Sequence, residues 1–314
     1  MDVFDDLLRG VRGAGAVFGR SVLWPPWSLR FTDGAYLTLC VPMRGAGWIV
    51  PATGPAHRIG LGDAAIVRGP EPFVFTDDPG APAGSPLHDV HCDAAPCPAP
   101  GEEFAGSTVL MAGAYDVRAE VPRRLLGVLP PVLVVPDPDD DACAGLRDYL
   151  ERQVAGAQPG RQIVLDRLLD WLLVCTLRDW FDRPEAAPPA WYRALGDEVA
   201  GPALRAMHED PAHPWTTASL AARAGVSRTT LAKRFTELVG EGPAAYLAGW
   251  RMALAADLLD RPDLTVAAVA HRVGYADAFG FSAAFKRVQG VSPTAYRQGR
   301  RDGEHTGDRE APAG

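Results

Sequence analysis

No apolar run in this 314-residue sequence reaches the roughly eighteen residues that a membrane-spanning helix needs. The longest candidate, "IVLDRLLDWLLVCTLRDW", is broken by Asp166, Arg167 and Asp170, so it reads as an amphipathic core helix. Cysteine is sparse. Five scattered thiols, an odd number, fit a reducing compartment better than a disulfide framework. The first ten residues, "MDVFDDLLRG", are acidic and lack the basic-then-apolar layout of a signal peptide, so we expect a cytoplasmic protein with no membrane partner. Lysine is nearly missing as well: of 31 basic residues only Lys233 and Lys286 are lysines. With abundant Ala, Gly and Pro, that bias reads as codon usage in a GC-rich genome and carries no functional weight. Paired carboxylates, a nucleophile elbow and a phosphate loop do not stand out anywhere, so we expect no enzyme, no catalytic residues and no cofactor.

A net charge of −8 argues at first against a nucleic-acid partner. The distribution reverses that argument. Residues 1–140 carry 10 basic against 17 acidic residues, and residues 141–200 carry 7 against 10. Residues 201–301 carry 13 against 8, a net of +5 inside an acidic protein. A locally basic domain is what a DNA-binding module requires.

Short apolar stretches separated by turn residues fill the first 135 residues: "AYLTLCVP", "GWIV", "AAIVRG", "FVFTD" and "STVLMAGAYDV". That rhythm predicts a β-sandwich or barrel, with a tight Gly-Asp turn in "IGLGDAAIVRG" and a long loop through "DDPGAPAGSPLHDVHCDAAPCPAPGEE" around one short strand. Two helices should follow, one over 141–155 and one whose apolar face is Ile163, Leu165, Leu168, Leu169, Leu172, Leu173, Thr176 and Trp180. Such a face invites pairing between two protomers. The proline-rich "RPEAAPPAW" is the best domain boundary. Beyond it the pattern is wholly helical, with starts near Gly201, Thr217, Arg228, Pro243, Thr265, Ala278 and Pro293.

Within that helical part the sequence repeats itself. "LAARAG" (220–225) matches "VAHRVG" (269–274) at an offset of 49, and past the turn the offset becomes 50, pairing Leu231 with Phe281, Phe235 with Phe285 and Tyr246 with Tyr296. A short helix, a glycine-centred turn and a second helix form a helix-turn-helix. Gly225 and Gly274 should supply the positive φ of the two turns. Ala222 and Ala270 are expected where the helices press together. Leu231, Phe235 and Leu238, and likewise Phe281, Phe285 and Val288, are expected as buried stripes.

These segments, with "FKRVQGVSPTAYR" the most specific, resemble the DNA-binding domain of AraC/XylS-family transcriptional regulators. The resemblance implies two helix-turn-helix units bridged by a helix over about 243–260, with recognition helices entering adjacent major-groove segments of promoter DNA. Its base-reading positions map onto Thr229, Ala232 and Lys233, with Thr236 on the same outward face and Arg228 and Arg234 for phosphates. In the second unit they map onto Phe279, Ser282 and Ala283, where the family often has arginine at Ala283. That leaves Lys286 and Arg287 for phosphate, and a second unit that reads shape or mainly anchors.

The N-terminal part resembles, more weakly, the cupin-like ligand domain of one AraC subgroup, through "LLRGVRGAGAVFG", "PPWSLRF", "IGLGDAAIVRGPEPFVF" and "LLGVLPPVLVV". Metal-using cupins place a histidine where this chain has Phe73, which separates a sensor from the alternative of a cupin metalloenzyme fused to a DNA-binding module. Trp24, Trp27, Tyr36, Trp48, Phe73 and Phe75 are candidates to line an effector cavity, or to be plain core. His88, His91, Cys92 and Cys97 have spacing that suits a redox pair or a soft metal, or a simple loop. Cys40, Cys143 and Cys175 read as small core hydrophobes. The expected architecture is therefore α+β and multidomain. A cupin-like β-barrel sensor (1–140) leads into a helical dimerisation segment (141–182) and a linker (183–196). An all-α double helix-turn-helix (197–300) and a disordered tail (301–314) complete it. The expected partners are double-stranded promoter DNA, a small-molecule effector, RNA polymerase and a second copy of the chain.

Overall fold

A computed structural model of the chain describes residues 11–13, 21–80, 87–90, 107–136 except 118 and 128, 159, 161–183, 186 and 188–307. Its longest strands are the ones whose sequences are apolar on both faces. Strand β4 (Leu37–Arg44) is buried continuously from Leu37 to Pro42 because it lies mid-sheet with both faces covered. In chain order the others are β1 (Arg12–Gly13), β2 (Ser21–Leu23), β3 (Ser28–Phe31), β5 (Gly47–Pro51), β6 (His57–Ile59), β7 (Ala64–Arg68), β8 (Phe73–Thr76), β9 (Leu87–Val90), β10 (Thr108–Asp116) and β11 (Val132–Val135). They form one sheet in the order β1-β10-β4-β7-β11, with β2 also on β10, and a second in the order β6-β5-β8-β3-β9. All pairings are antiparallel except β3 with β9.

The two sheets share one core. Trp27, Leu29, Phe31, Ile49, Ile59, Phe73 and Phe75 come from the second sheet and its edge. Cys40, Ala65, Val67, Leu110, Ala112 and Val132 come from the first. Gly47 is required there, since a Cβ would lie 2.6 Å from the Phe75 ring and 2.7 Å from Trp27. The predicted Gly-Asp turn is present: the Asp63 N–H donates to the Gly60 carbonyl (3.1 Å) and the Gly60 N–H to the Asp63 carboxylate (2.7 Å).

A long helix, Arg161–Phe181, covers the outer face of the first sheet. Gly113, paired with Leu39, leaves room for Leu169, and the buried Tyr115 hydroxyl donates to the Leu169 carbonyl at 2.9 Å. Leu169, Leu172, Leu173, Thr176 and Leu177 are the buried side of this helix. The predicted apolar face is thus only partly inward: Ile163 stands 68 % exposed and Trp180 half-buried, while Val164 and Trp171, outside that face, are exposed as well. The helix predicted over 141–155 lies outside the described residues. Cys40 is buried, which pushes its thiol pKa up, and Cys175 is half-buried. Cys143 lies outside the described residues. Among the described residues no helix is long and apolar enough to cross a membrane.

The chain divides into two compact units, one of residues 11–117 and 127–187, the other of Pro188 onward together with 118–126. In chain order the described helices are α1 (Glu120–Leu126), α2 (the Arg161–Phe181 helix), α3 (Ala190–Leu195), α4 (Ala200–Glu209), α5 (Thr217–Arg223), α6 (Arg228–Val239), α7 (Pro243–Leu259), α8 (Val266–Arg272), α9 (Ala278–Gln289) and α10 (Pro293–Gly307). Two expected boundaries need correction. The linker placed at 183–196 contains α3, whose Ala194 is fully buried beside Trp191 and Leu195 in the first helical core, so the helical unit begins near Pro188. The last helix runs to Gly307, into the tail expected to be disordered from 301.

Helix α1 docks on α7 within the second unit. Its first turn leaves backbone N–H groups without intrahelical acceptors, and the Asp257 carboxylate of α7 accepts those of Glu120 and Val121. Burial raises the Asp257 pKa from 3.8 to about 6, against the two N–H bonds that lower it and with Asp260 and Glu120 adding repulsion. The folded chain therefore holds a proton on Asp257 in a window where the unfolded chain has released it. Stability from this group is full below pH 3.8 and declines as the pH rises through about 6. Asp257→Asn should remove that component of the pH slope, read as the difference between wild-type and variant urea midpoints across about pH 4 to 7.

Candidate nucleic-acid interface

Each recognition helix is set by the same three local devices: a capped first helix, a glycine turn, and a capped second helix. Thr216 and Ser219 form a reciprocal capping box at the start of α5. The turn then closes through the Val226 N–H on the Ala221 carbonyl (3.0 Å) with Gly225 at φ +69°. The second copy repeats it with the Tyr275 N–H on the Ala270 carbonyl (2.9 Å) and Gly274 at φ +82°. The residues pressed into the two helix crossings are Ala221 and Ala270, both buried. Ala222, expected there, is exposed, because offset 49 pairs Ala270 with Ala221. Ser227 caps α6 through the Thr230 N–H (3.1 Å), and Asp277 caps α9 through the Phe279 and Gly280 N–H groups (2.9 and 2.8 Å).

Burial fixes which side each helix shows. Leu231 and Phe235 are fully buried in a core with α4, α5 and the start of α7, and Leu238 is partly buried there. Phe281 and Phe285 are fully buried in a second core with Met252, Ala255, Ala256 and Leu259 of α7. Val288, expected to continue that stripe, is 49 % exposed in the last turn of α9. Tyr246 meets the buried His208 at 2.9 Å, and Tyr296 packs edge-on against Phe285.

The opposite faces carry the predicted site residues. Arg228, Thr229, Lys233 and Thr236 are exposed on α6, with Ala232 half-buried. Phe279, Ala283, Lys286 and Arg287 are exposed on α9, with Ser282 half-buried. Among the described residues Arg228, Lys286 and Arg287 make no ion pair, while Lys233 pairs loosely with Glu237 at 3.9 Å. Arg234 has a partner within the fold: its Nε and Nη2 both donate to Asp197, at 2.9 and 2.7 Å, which ties it to the α3–α4 turn. Partial burial opposes ionisation of Asp197, but N–H bonds from Ala200 and Val199 and the Arg234 guanidinium outweigh it and hold its pKa below the ordinary value.

The matches to known proteins follow this layout. A cupin family model matches residues 2–182, and a helix-turn-helix domain model matches residues 220–299. An AraC-like transcription regulator of Streptomyces antibioticus is 32 % identical over 304 residues, covering 95 % of this chain and 99 % of that protein. Another from Streptomyces lividans is 30 % identical over 305 residues, covering 95 % and 98 %. The chain belongs to the AraC family of transcription regulators. The DNA-binding domain of AdpA, solved with a target DNA, is 34 % identical over 34 % of this chain and 96 % of that one, with a TM-score of 0.33. This AraC-type regulator thus joins a cupin domain to a helix-turn-helix DNA-binding domain.

The aromatic candidates of the cupin domain differ in burial. Trp27, Phe73 and Phe75 belong to the packed core, with Phe73 stacked on Phe31 at 4.6 Å and Trp27 tilted on Phe75 at 4.8 Å. Trp24 is 54 % exposed, and Tyr36 and Trp48 are half-buried. His88 lies on β9, paired with Leu29 of β3. His91, Cys92 and Cys97 lie outside the described residues. The contacts that sequence reading misses are pins. Arg251 donates to the Pro211 and His213 carbonyls (2.7 and 2.8 Å), and Arg297, the arginine of "AYR", to the Leu259 and Leu264 carbonyls (2.9 and 2.8 Å). An arginine reads alike in sequence whether it grips a phosphate or a carbonyl.

The two turn glycines differ in surroundings. A Cβ on Gly225 meets open space, whereas one on Gly274 would lie 2.5 Å from the Ala212 carbonyl oxygen and 2.8 Å from Arg251. Gly225→Ala should cost about 1 kcal/mol from its positive φ alone. Gly274→Ala should cost about 3 kcal/mol or more, since overpacking against backbone adds to the strain. Paired thermal melts of the two variants check the difference.

Proposed function

We propose that this regulator reads promoter DNA with a division of labour between its recognition helices. Helix α6 reads base edges, with Lys233 donating to guanine and Thr229 touching a base edge or thymine methyl. Arg228, Lys286 and Arg287 grip phosphates. The observation that carries this reading is the two-faced burial of α6 and α9: each packs one side into a core shared with α7 and leaves the other, with exposed cations, to solvent. The cupin domain is the sensor, taking up a small-molecule or stress signal in the cytoplasm, and the DNA-bound form acts on RNA polymerase. Phe73 supports sensing over metal-dependent catalysis, because the place of the metalloenzyme histidine is filled by a buried ring stacked on Phe31.

Lys233→Ala should relax base preference at one operator position, by about 1–3 kcal/mol. Lys286→Ala should weaken binding to every sequence and flatten its salt dependence. Fluorescence anisotropy at several salt concentrations, on operators recovered by selection from random duplexes, separates the two. Equal, sequence-independent losses would defeat the division.

We further propose that the regulator is a homodimer through 141–182, supported by the outward Ile163, Val164 and Trp171 of α2. Sedimentation velocity of the full chain should show a dimer that Trp171→Glu converts to monomer. A wild-type monomer at micromolar concentration would remove this assembly.

A further inference from the structure

The most exposed large apolar side chain on either recognition helix is Phe279, 87 % exposed in the first turn of α9. It takes no part in the core behind that helix. Its backbone is nevertheless held firmly, since the Asp277 carboxylate accepts both its N–H and that of Gly280. A fixed backbone carrying an unburied ring is a side chain presented outward, not one left over from packing.

Its neighbours keep the space around the ring apolar. Gly280, next in sequence, has no side chain, and a Cβ there would meet nothing but Asp277. Ala283, one turn on, is exposed and small, and Lys286 continues the same stripe at i+7. The Ser282 hydroxyl donates to the Ala278 carbonyl at 2.7 Å, so its proton is already committed. The offset of 50 makes the contrast with α6 direct: Thr229 corresponds to Phe279, and Lys233 to Ala283. Where α6 offers donors, α9 offers a ring and a methyl group. The one base-edge feature that rewards an apolar surface in the major groove is the 5-methyl group of thymine. Lys286 and Arg287, free of ion pairs among the described residues, provide the charge that selects a polyanion as the occupant of this face.

We propose that α9 selects thymine in its half of the operator by seating the Phe279 ring against thymine 5-methyl groups in the major groove. The inference rests on α9 facing DNA, and it assigns specificity to a helix whose polar side chains offer little. N-terminal residues of a recognition helix are the ones that reach base edges, which is where Phe279 stands.

Replacing thymine with deoxyuracil deletes that methyl group and changes no hydrogen-bonding group. On an operator selected by the full-length protein, each thymine is replaced singly and affinity is measured for wild type, Phe279→Ala and Phe279→Leu. At one or two positions in one half of the site, the wild type should lose about fourfold per methyl removed. Phe279→Ala should show no loss there, and Phe279→Leu an intermediate one. Selection repeated with Phe279→Ala should lose the thymine preference at the same positions, with the salt slope unchanged. Equal deuterium exchange in α9 of the three proteins establishes that the fold is intact. Wild-type binding unchanged by uracil substitution at every position, an operator half with no thymine requirement, or identical selected sites for wild type and Phe279→Ala would each overturn the inference. So would a Phe279→Ala protein with wild-type operator binding but reduced transcription, which would give the ring to a protein partner. If Lys286→Ala and Arg287→Ala also leave DNA binding untouched, the failure belongs to the placement of α9 on DNA. If they weaken it while Phe279→Ala does not, only the thymine contact fails.

Discussion

Helix α7 is the constraint on which the DNA-binding half depends. Its early residues, Tyr246 and Leu247, are buried with α6, and its later ones, Met252, Ala255, Ala256 and Leu259, are buried with α9. One rod of 17 residues, about 25 Å long at the helical rise, is therefore a wall of both cores. Two independently folded modules joined by a flexible linker would meet DNA in many relative orientations. Two cores sharing a helix present their readers in one, and the orientational entropy is lost during folding instead of at binding. The pins at its middle and its C-terminal end serve the same purpose. Arg251 ties the loop after α4, Arg297 ties the loop after α7, and Arg300 grips Asp260 at 2.5 Å.

The helical half was largely legible because its signals are local. Caps at Ser227, Thr265 and Asp277, prolines at the first turns of α7 and α10, and a repeat at offsets of 49 and 50 all act within a few residues of where they are read. The differences there are small: Ala221 and not Ala222 takes the helix crossing, a matter of phase, and Val288 lies 49 % exposed because α9 ends at Gln289. The β half was legible only as a rhythm. Strands such as β3 and β9 pair in parallel across 59 residues, Ser28 with Leu87, and nothing local to either segment specifies that partner. Helix α1 was not foreseen for the same reason. It is short, and its acceptor for two backbone N–H groups is Asp257, 137 residues further along.

The candidate cavity aromatics show the same limit in side-chain terms. A buried tryptophan and a buried phenylalanine look identical in sequence whether they line a space or fill it. Gly47 decides the matter for two of them, because removing its side chain lets the rings of Trp27 and Phe75 close on each other. Phe31 does the same for Phe73, by stacking almost parallel at 2°. These three side chains consolidate the meeting of two sheets.

The charge balance resolves in a similar way. The net of +5 over 201–301 is unaltered by internal pairing, but many of its 13 basic side chains are engaged within the fold. Arg223 goes to Glu209, Arg234 to Asp197, Arg261 to Asp263, Arg300 to Asp260, and Arg251 and Arg297 to backbone carbonyls. What remains on the recognition helices is Arg228, Lys233, Lys286 and Arg287. Phosphate contacts from these cations release counterions and supply affinity without telling one sequence from another. Discrimination then has to come from contacts that depend on sequence, and α6 and α9 carry different chemistry for it. On the reading proposed above, donors on α6 and an aromatic ring on α9 set two unlike tests, and a competing sequence that satisfies one of them still fails the other.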